Sequence, residues 1–144
     1  VSYMNNKQLK ELKSLFKTTP QIKLVYFFGS KATNQAGPLS DYDLAFYLAS
    51  DMNKFPAGYD KKEKQKMFKL KILLINKISR ILQTDNLDVV ILNLIETPEL
   101  KYRIIKEGKL IYEKKPFKIF VEPRILNEYF DFHNLLLRHK LTKT

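Results

Sequence analysis

The sequence predicts an α/β (α+β) domain in which a small sheet is flanked by helices. Short apolar runs at 24–28, 44–48, 87–92 and 109–113 have strand length and are rich in β-branched and aromatic residues. Between and around them, segments 5–16, 61–83, 97–107 and 123–140 carry apolar residues at helical spacing. Turn signals separate the two kinds of segment, and at 144 residues the chain is long enough for one domain.

The first helix is expected over 5–16, with Leu9, Leu12, Leu15 and Phe16 inward and Asn5 or Asn6 as its cap. Leu24 to Phe28 reads as a strand buried on both faces, and Gly29-Ser30 ends it. Gly permits left-handed backbone and the close approach of a ligand, and Ser adds a hydroxyl beside exposed N–H groups. A short helix over 31–35 would aim N–H groups at a phosphate, and 36–39 reads as a loop. The second strand opens near Asp41 and Asp43, whose side chains share a face because strand residues alternate. Two neighbouring carboxylates repel, so a cation should sit between them; hard oxygen ligands suit Mg²⁺ or Mn²⁺.

A loop is expected over 51–60, marked by Pro56 and Gly58. The long helix over 61–83 should cover the sheet with Met67, Leu70, Leu74, Ile78 and Ile81, widened by Phe68, Ile72 and Ile75. Its basic opening, KKEKQK, reads as a solvated face or as a surface for an acidic partner. In the third strand Asp88 interrupts an apolar run, where an unpaired ionised carboxylate is expensive. It needs a metal, an Arg or a hydrogen-bond network, unless it faces solvent at the strand start; Asp85 is the substitute if the register differs. Thr97-Pro98-Glu99 starts a helix that stops at Gly108. Beyond Pro116, a tail helix from about 123 presents a stripe of Leu126, Tyr129, Phe130, His133 and Leu137, with Ile125, Phe132, Leu135 and Leu136 elsewhere around it. So many large residues imply two contact surfaces, one of them for a partner. His133 and His139 read as packing and helix-end residues.

Composition narrows the function classes. With no cysteine there are no disulfides, thiolate zinc sites or Cys nucleophiles, which fits a cytoplasmic location. No run approaches the ~20 apolar residues of a membrane helix, and no signal peptide opens the sequence. Val1-Ser2-Tyr3 ahead of Met4 reads as an addition to a chain that would start with Met. The net charge of +11 fits nucleic acid, a nucleoside triphosphate or an acidic protein, or merely a Lys-rich composition.

Gly-Ser followed ten residues on by Asp-x-Asp, within FFGSKATNQAGPLSDYDLAFYL, resembles the minimal nucleotidyltransferases (the MNT family) of the polymerase-β-like nucleotidyltransferase superfamily. TPELKYRIIKEGKLIYE extends the resemblance, which spans about 22–115. It implies a small mixed sheet with flanking helices, a nucleotidyltransferase domain over 1–115 and a helical extension over 116–144 packed on the domain or on a partner. It further implies that Asp41, Asp43 and Asp88 hold two Mg²⁺ ions and are catalytic, while Gly29, Ser30 and Lys31 bind ATP. Lys31 stands where relatives carry Arg, and Asn34 where they carry Gly, which weakens the expected grip on substrate rather than the metal site.

The implied function is that of an antitoxin, which adds AMP from ATP to a tyrosine of a HEPN ribonuclease toxin. The chain has no Arg and His separated by four to six residues, the nuclease motif of those toxins, so it is not the toxin. The alternatives are nucleotidyl transfer to a small molecule of the aminoglycoside type and a non-catalytic module that binds the toxin. A template-dependent polymerase lacks its further domains here, and direct nucleic-acid binding is not expected. Homo- and hetero-oligomers both stay open.

Overall fold

In the computed structural model, residues 3–33, 41–49 and 59–139 are described below. The elements run α1 (Asn6–Lys17), β1 (Ile22–Phe28), β2 (Tyr42–Leu48), α2 (Lys61–Leu82), β3 (Leu87–Ile91), a 3-10 turn (Leu92–Leu94), α3 (Pro98–Glu107), β4 (Lys109–Glu113) and α4 (Phe117–Arg138). The strands form one mixed sheet in the order β3-β2-β1-β4. β1 lies antiparallel to both β2 and β4, whereas β2 and β3 run parallel with Asp43 beside Asp88.

Two apolar layers hold the sheet. On one face Val25, Phe27, Leu44, Phe46 and Val89 meet Leu12 and Phe16 of α1 and Leu74, Ile78 and Leu82 of α2. On the other, Leu24, Tyr26, Ala45 and Tyr47 meet Ile104 of α3 and Phe117, Val121 and Ile125 of α4. The central strands are therefore apolar on both sides, which is why they read as unbroken hydrophobic runs rather than as alternation.

The helix ends follow local chemistry. Asn5 caps α1 through a reciprocal box: its side chain accepts from the Gln8 amide at 2.7 Å, and the Gln8 side chain accepts from the Asn5 amide at 3.1 Å. Asp60 caps α2 by accepting from the Glu63 amide at 2.7 Å, and residues 61–66 are exposed. Thr97 stands at the cap position of α3 but contributes no side-chain hydrogen bond there; Pro98 starts the helix with its preset backbone. Gly108 ends α3 without left-handed backbone. A Cβ there would overlap the Ile104 carbonyl oxygen and press on the Phe27 carbonyl at 3.3 Å, so glycine lets the chain turn tightly against β1.

Three expectations from periodicity are corrected. Phe68 and Ile72 do not widen the buried stripe of α2; they are 59% and 46% exposed, because Leu74, Ile78 and Leu82 take the sheet. The tail helix starts at Phe117, six residues before the expected position, and carries Pro123 inside it. Its buried stripe is Phe117, Val121 and Ile125, while Phe130, Leu135 and Leu137 are exposed. The first half of α4 packs on the sheet, whereas the second half meets α3 through Tyr129, stacked on Tyr102 with ring centroids 3.9 Å apart, and is only partly buried. The third strand stops at Ile91, and Leu92 turns into the 3-10 segment.

Candidate active site

β1, a central strand, ends at Phe28 and delivers Gly29 just beyond it at φ +80°, in the left-handed region that favours glycine. A second constraint acts on the same residue. A Cβ at Gly29 would overlap Asp43 Oδ2 and come within 3.0 Å of Asp43 Cγ, so the Asp43 carboxylate lies against the turn itself. After Gly29 the backbone folds into a turn in which the Ala32 and Thr33 amides donate to the Gly29 carbonyl at 3.1 and 3.3 Å. This replaces the regular helix expected from 31 as far as Thr33; the expected remainder, the 36–39 loop and Asn34 lie outside the described residues, as does most of the 51–60 loop.

The carboxylates assemble through sheet register. Asp43 pairs across β1 with Phe28 and across β3 with Asp88, so Asp88 neighbours it in a parallel ladder. Strand parity puts Asp41 and Asp43 on the face of Ala45 and Tyr47, the face covered elsewhere by α3 and α4. Asp88 is exposed, not buried as its apolar surroundings in sequence implied. The burial argument therefore fails for Asp88, and register alone brings it beside Asp43. Asp85 lies in the exposed turn before β3, where its carbonyl accepts from the Leu87 amide at 2.9 Å.

Electrostatics single out Asp43. Burial, then the negative charge of Asp88, then that of Asp41 push its carboxyl up to about 6 from the ordinary 3.8. Among the described residues no hydrogen-bond donor meets this carboxylate, and no three acidic or imidazole side chains converge closely enough to enclose an ion. Asp43 thus feels both of its acidic neighbours, and the three carboxylates do not close on a common point. Their chemistry still fits a hard divalent cation, an all-oxygen set whose mutual repulsion such an ion would reverse.

The other predicted residues divide. Ser30 follows Gly29 in the turn and is partly exposed. Lys31 turns away from them: it is only 8% exposed, and its Nζ lies 4.6 Å from the Tyr3 ring centroid and 4.8 Å from that of Tyr42. Sequence reasoning missed this pairing. The Tyr42 signal was present inside the Asp-x-Asp motif, but its partner comes from the far N-terminus. Asn93 was missed as well; its side chain holds the end of β2 by accepting from the Leu48 amide at 2.9 Å and donating to the Leu48 carbonyl at 2.7 Å.

Residues 10–117 match the Polymerase beta, Nucleotidyltransferase family. The chain belongs to the polymerase-β nucleotidyltransferase family. Within it, this nucleotidyltransferase domain resembles chains from crystal structures of toxin–antitoxin assemblies. One, a toxin–antitoxin with AMP-PNP, superposes with a TM-score of 0.65 at 19% identity, covering 91% of this chain and 93% of that one. Another, from the toxin–antitoxin MntA–HepT, gives a TM-score of 0.63 at 17% identity, covering 93% and 94%. A third comes from a tri-AMPylated Shewanella oneidensis HEPN toxin in complex with its MNT antitoxin, with a TM-score of 0.63 at 17% identity over 94% of both chains. At these identities the likeness is one of fold. No curated protein matches the sequence significantly. Among the described residues no helix of the domain is long and apolar enough to cross a membrane.

Proposed function

We propose that this chain is a Mg²⁺-dependent adenylyltransferase that acts as an antitoxin in the cytoplasm, transferring AMP from ATP to a tyrosine of a HEPN-type toxin. The observation that carries the proposal is the Asp43 carboxylate, held against the Gly29 turn on one side and beside Asp88 on the other. Fold likeness to chains from a toxin–antitoxin with AMP-PNP and from an AMPylated HEPN toxin complex supports the nucleotide and the partner.

In this reading Asp41, Asp43 and Asp88 would hold the divalent ions, Mg²⁺ or Mn²⁺. When bound, such ions neutralise phosphate charge and make the acceptor hydroxyl more acidic. Gly29, having no side chain, lets the triphosphate approach the backbone of the turn. The Ser30 hydroxyl and amide donate to its distal oxygens. The acceptor oxygen attacks the α-phosphorus, the bond to the bridging oxygen breaks, and pyrophosphate leaves with the electron pair. Asp88, exposed like Asp41 and next to Asp43 in the ladder, accepts the hydroxyl proton at a carboxylate oxygen. The catalytic unit is assigned to 1–115, in accord with the family match over 10–117. The extension 116–144 is assigned a double role, its first half in the core and its second toward the toxin.

The test is incubation of the purified chain with α-labelled ATP and Mg²⁺, with and without a HEPN-type toxin encoded beside it. Label should move to the toxin, and not when Asp41→Ala replaces the wild type. Neutralisation of the toxin without any label transfer would overturn catalysis in favour of a binding module. Label on an aminoglycoside-type small molecule alone would overturn the choice of acceptor.

A further inference from the structure

Lys31 is the residue whose position least fits its expected task. Directly after a phosphate-binding turn, a lysine would ordinarily extend toward the phosphates. Here it is buried on the opposite side of β2 from the carboxylates, its ammonium between the rings of Tyr3 and Tyr42. Both contacts fall within the ~6 Å reach of cation–π attraction, which is strongest where water is excluded. Tyr42 itself is anchored twice. Its ring stacks on Phe27 with centroids 6.1 Å apart, and its hydroxyl donates to the Tyr3 carbonyl at 2.7 Å. Tyr3, read from the sequence as part of an addition ahead of Met4, packs here as part of the domain: Met4 beside it is buried in the main core and fixes the segment that completes the sandwich.

Tyr42 stands between Asp41 and Asp43 in sequence, with its side chain packed against the α1/α2 layer. Lys31 is one residue beyond Ser30. The sandwich therefore joins the turn to the carboxylate-bearing strand from behind, at the point where their relative position matters. We propose that Lys31 is a positioning residue: clasped by Tyr3 and Tyr42, it holds the Gly29-Ser30 turn in register with Asp41 and Asp43 and does not itself contact phosphate. This rests on the nucleotidyltransferase reading above for its consequence in catalysis, but not for the clasp.

The test compares Lys31→Met, Lys31→Arg, Tyr42→Leu and the Lys31→Met/Tyr42→Leu double variant in the full chain. Met keeps the length and apolar packing of Lys without its charge, and Arg keeps a cation that stacks on rings. Two readouts are used: amide hydrogen exchange of Ser30 to Thr33 in the nucleotide-free protein, and ATP affinity by calorimetry over a range of salt. Lys31→Met and Tyr42→Leu should each speed exchange and weaken ATP roughly 3–10-fold. The double variant should be no worse than either single one, Lys31→Arg should restore wild-type behaviour, and the salt dependence of ATP binding should not change. Additive effects would overturn the proposal. So would a flattened salt dependence in Lys31→Met while Tyr42→Leu binds ATP normally, since that pattern marks direct phosphate contact. Unchanged exchange in Lys31→Met also overturns it. If the wild type binds no ATP, the nucleotidyltransferase reading fails, and hydrogen exchange alone still decides the clasp.

Discussion

Replacing Asp43 by Asn should make the metal-free protein more stable, although it removes the central residue of the candidate site. Burial, Asp88 and Asp41 hold the Asp43 carboxyl at about 6, against 3.8 ordinarily. A group whose folded value is raised binds its proton more tightly when folded. Its contribution is therefore fully favourable below about 4 and is lost as pH rises through about 6. At pH 7–8 the full displacement corresponds to about 3 kcal/mol. Asp43 is partly open to solvent, and screening reduces this to about 1–2 kcal/mol. Asn at this position has the same shape and no charge, so Asp43→Asn should raise the midpoint by about 3–7 °C at pH 8 in EDTA for a chain of this length. At pH 4 the difference should vanish, and high salt should shrink it at pH 8. Thermal unfolding followed by circular dichroism at pH 4, 6 and 8 measures all of this. Adding Mg²⁺ or Mn²⁺ should then stabilise the wild type and leave the variant unmoved. A variant that is less stable than wild type at pH 8 in EDTA would refute the reasoning, because the carboxylate would then be held by favourable partners rather than against repulsion.

Three further outcomes are expected. Gly29→Ala should cost about 1–3 kcal/mol in urea unfolding, from left-handed strain and the displaced Asp43 carboxylate, and should abolish AMP transfer; wild-type activity in a folded variant would refute the close approach. Val121→Ala should destabilise by about 1–3 kcal/mol, since Val121 lies in the second core layer, whereas Leu135→Ala on the exposed part of the same helix should change stability by less than about 0.5 kcal/mol in the same assay. Phe130→Glu should leave the thermal midpoint within a few degrees yet weaken binding of the toxin more than tenfold in calorimetry, because Phe130 is 51% exposed and flanks the stacked Tyr102–Tyr129 pair. Unchanged affinity would remove the second half of α4 from the interface.

The carboxylate motif and the strand–helix alternation were legible in the chain because both are local. Apolar runs of strand length and amphipathic runs of helix length need no partner to be recognised. Gly29-Ser30 ahead of Asp41-x-Asp43 likewise carries its message in spacing alone. Leu12, Phe16, Leu74 and Ile78 also face the core as their spacing implies, but tertiary structure decided how far each apolar face is covered and which charged groups meet. Phe68 and Phe130 fit a buried stripe by periodicity, but the sheet is too small to cover them, and both stay exposed. The place of Asp88 beside Asp43 depends on the parallel register of β2 and β3, which no window of sequence contains. Its own exposure reverses the desolvation argument drawn from its apolar neighbours. The destination of Lys31 depends on a ring brought from position 3, twenty-eight residues upstream. Local spacing determines which groups a segment carries; only the packed sheet determines which of them meet.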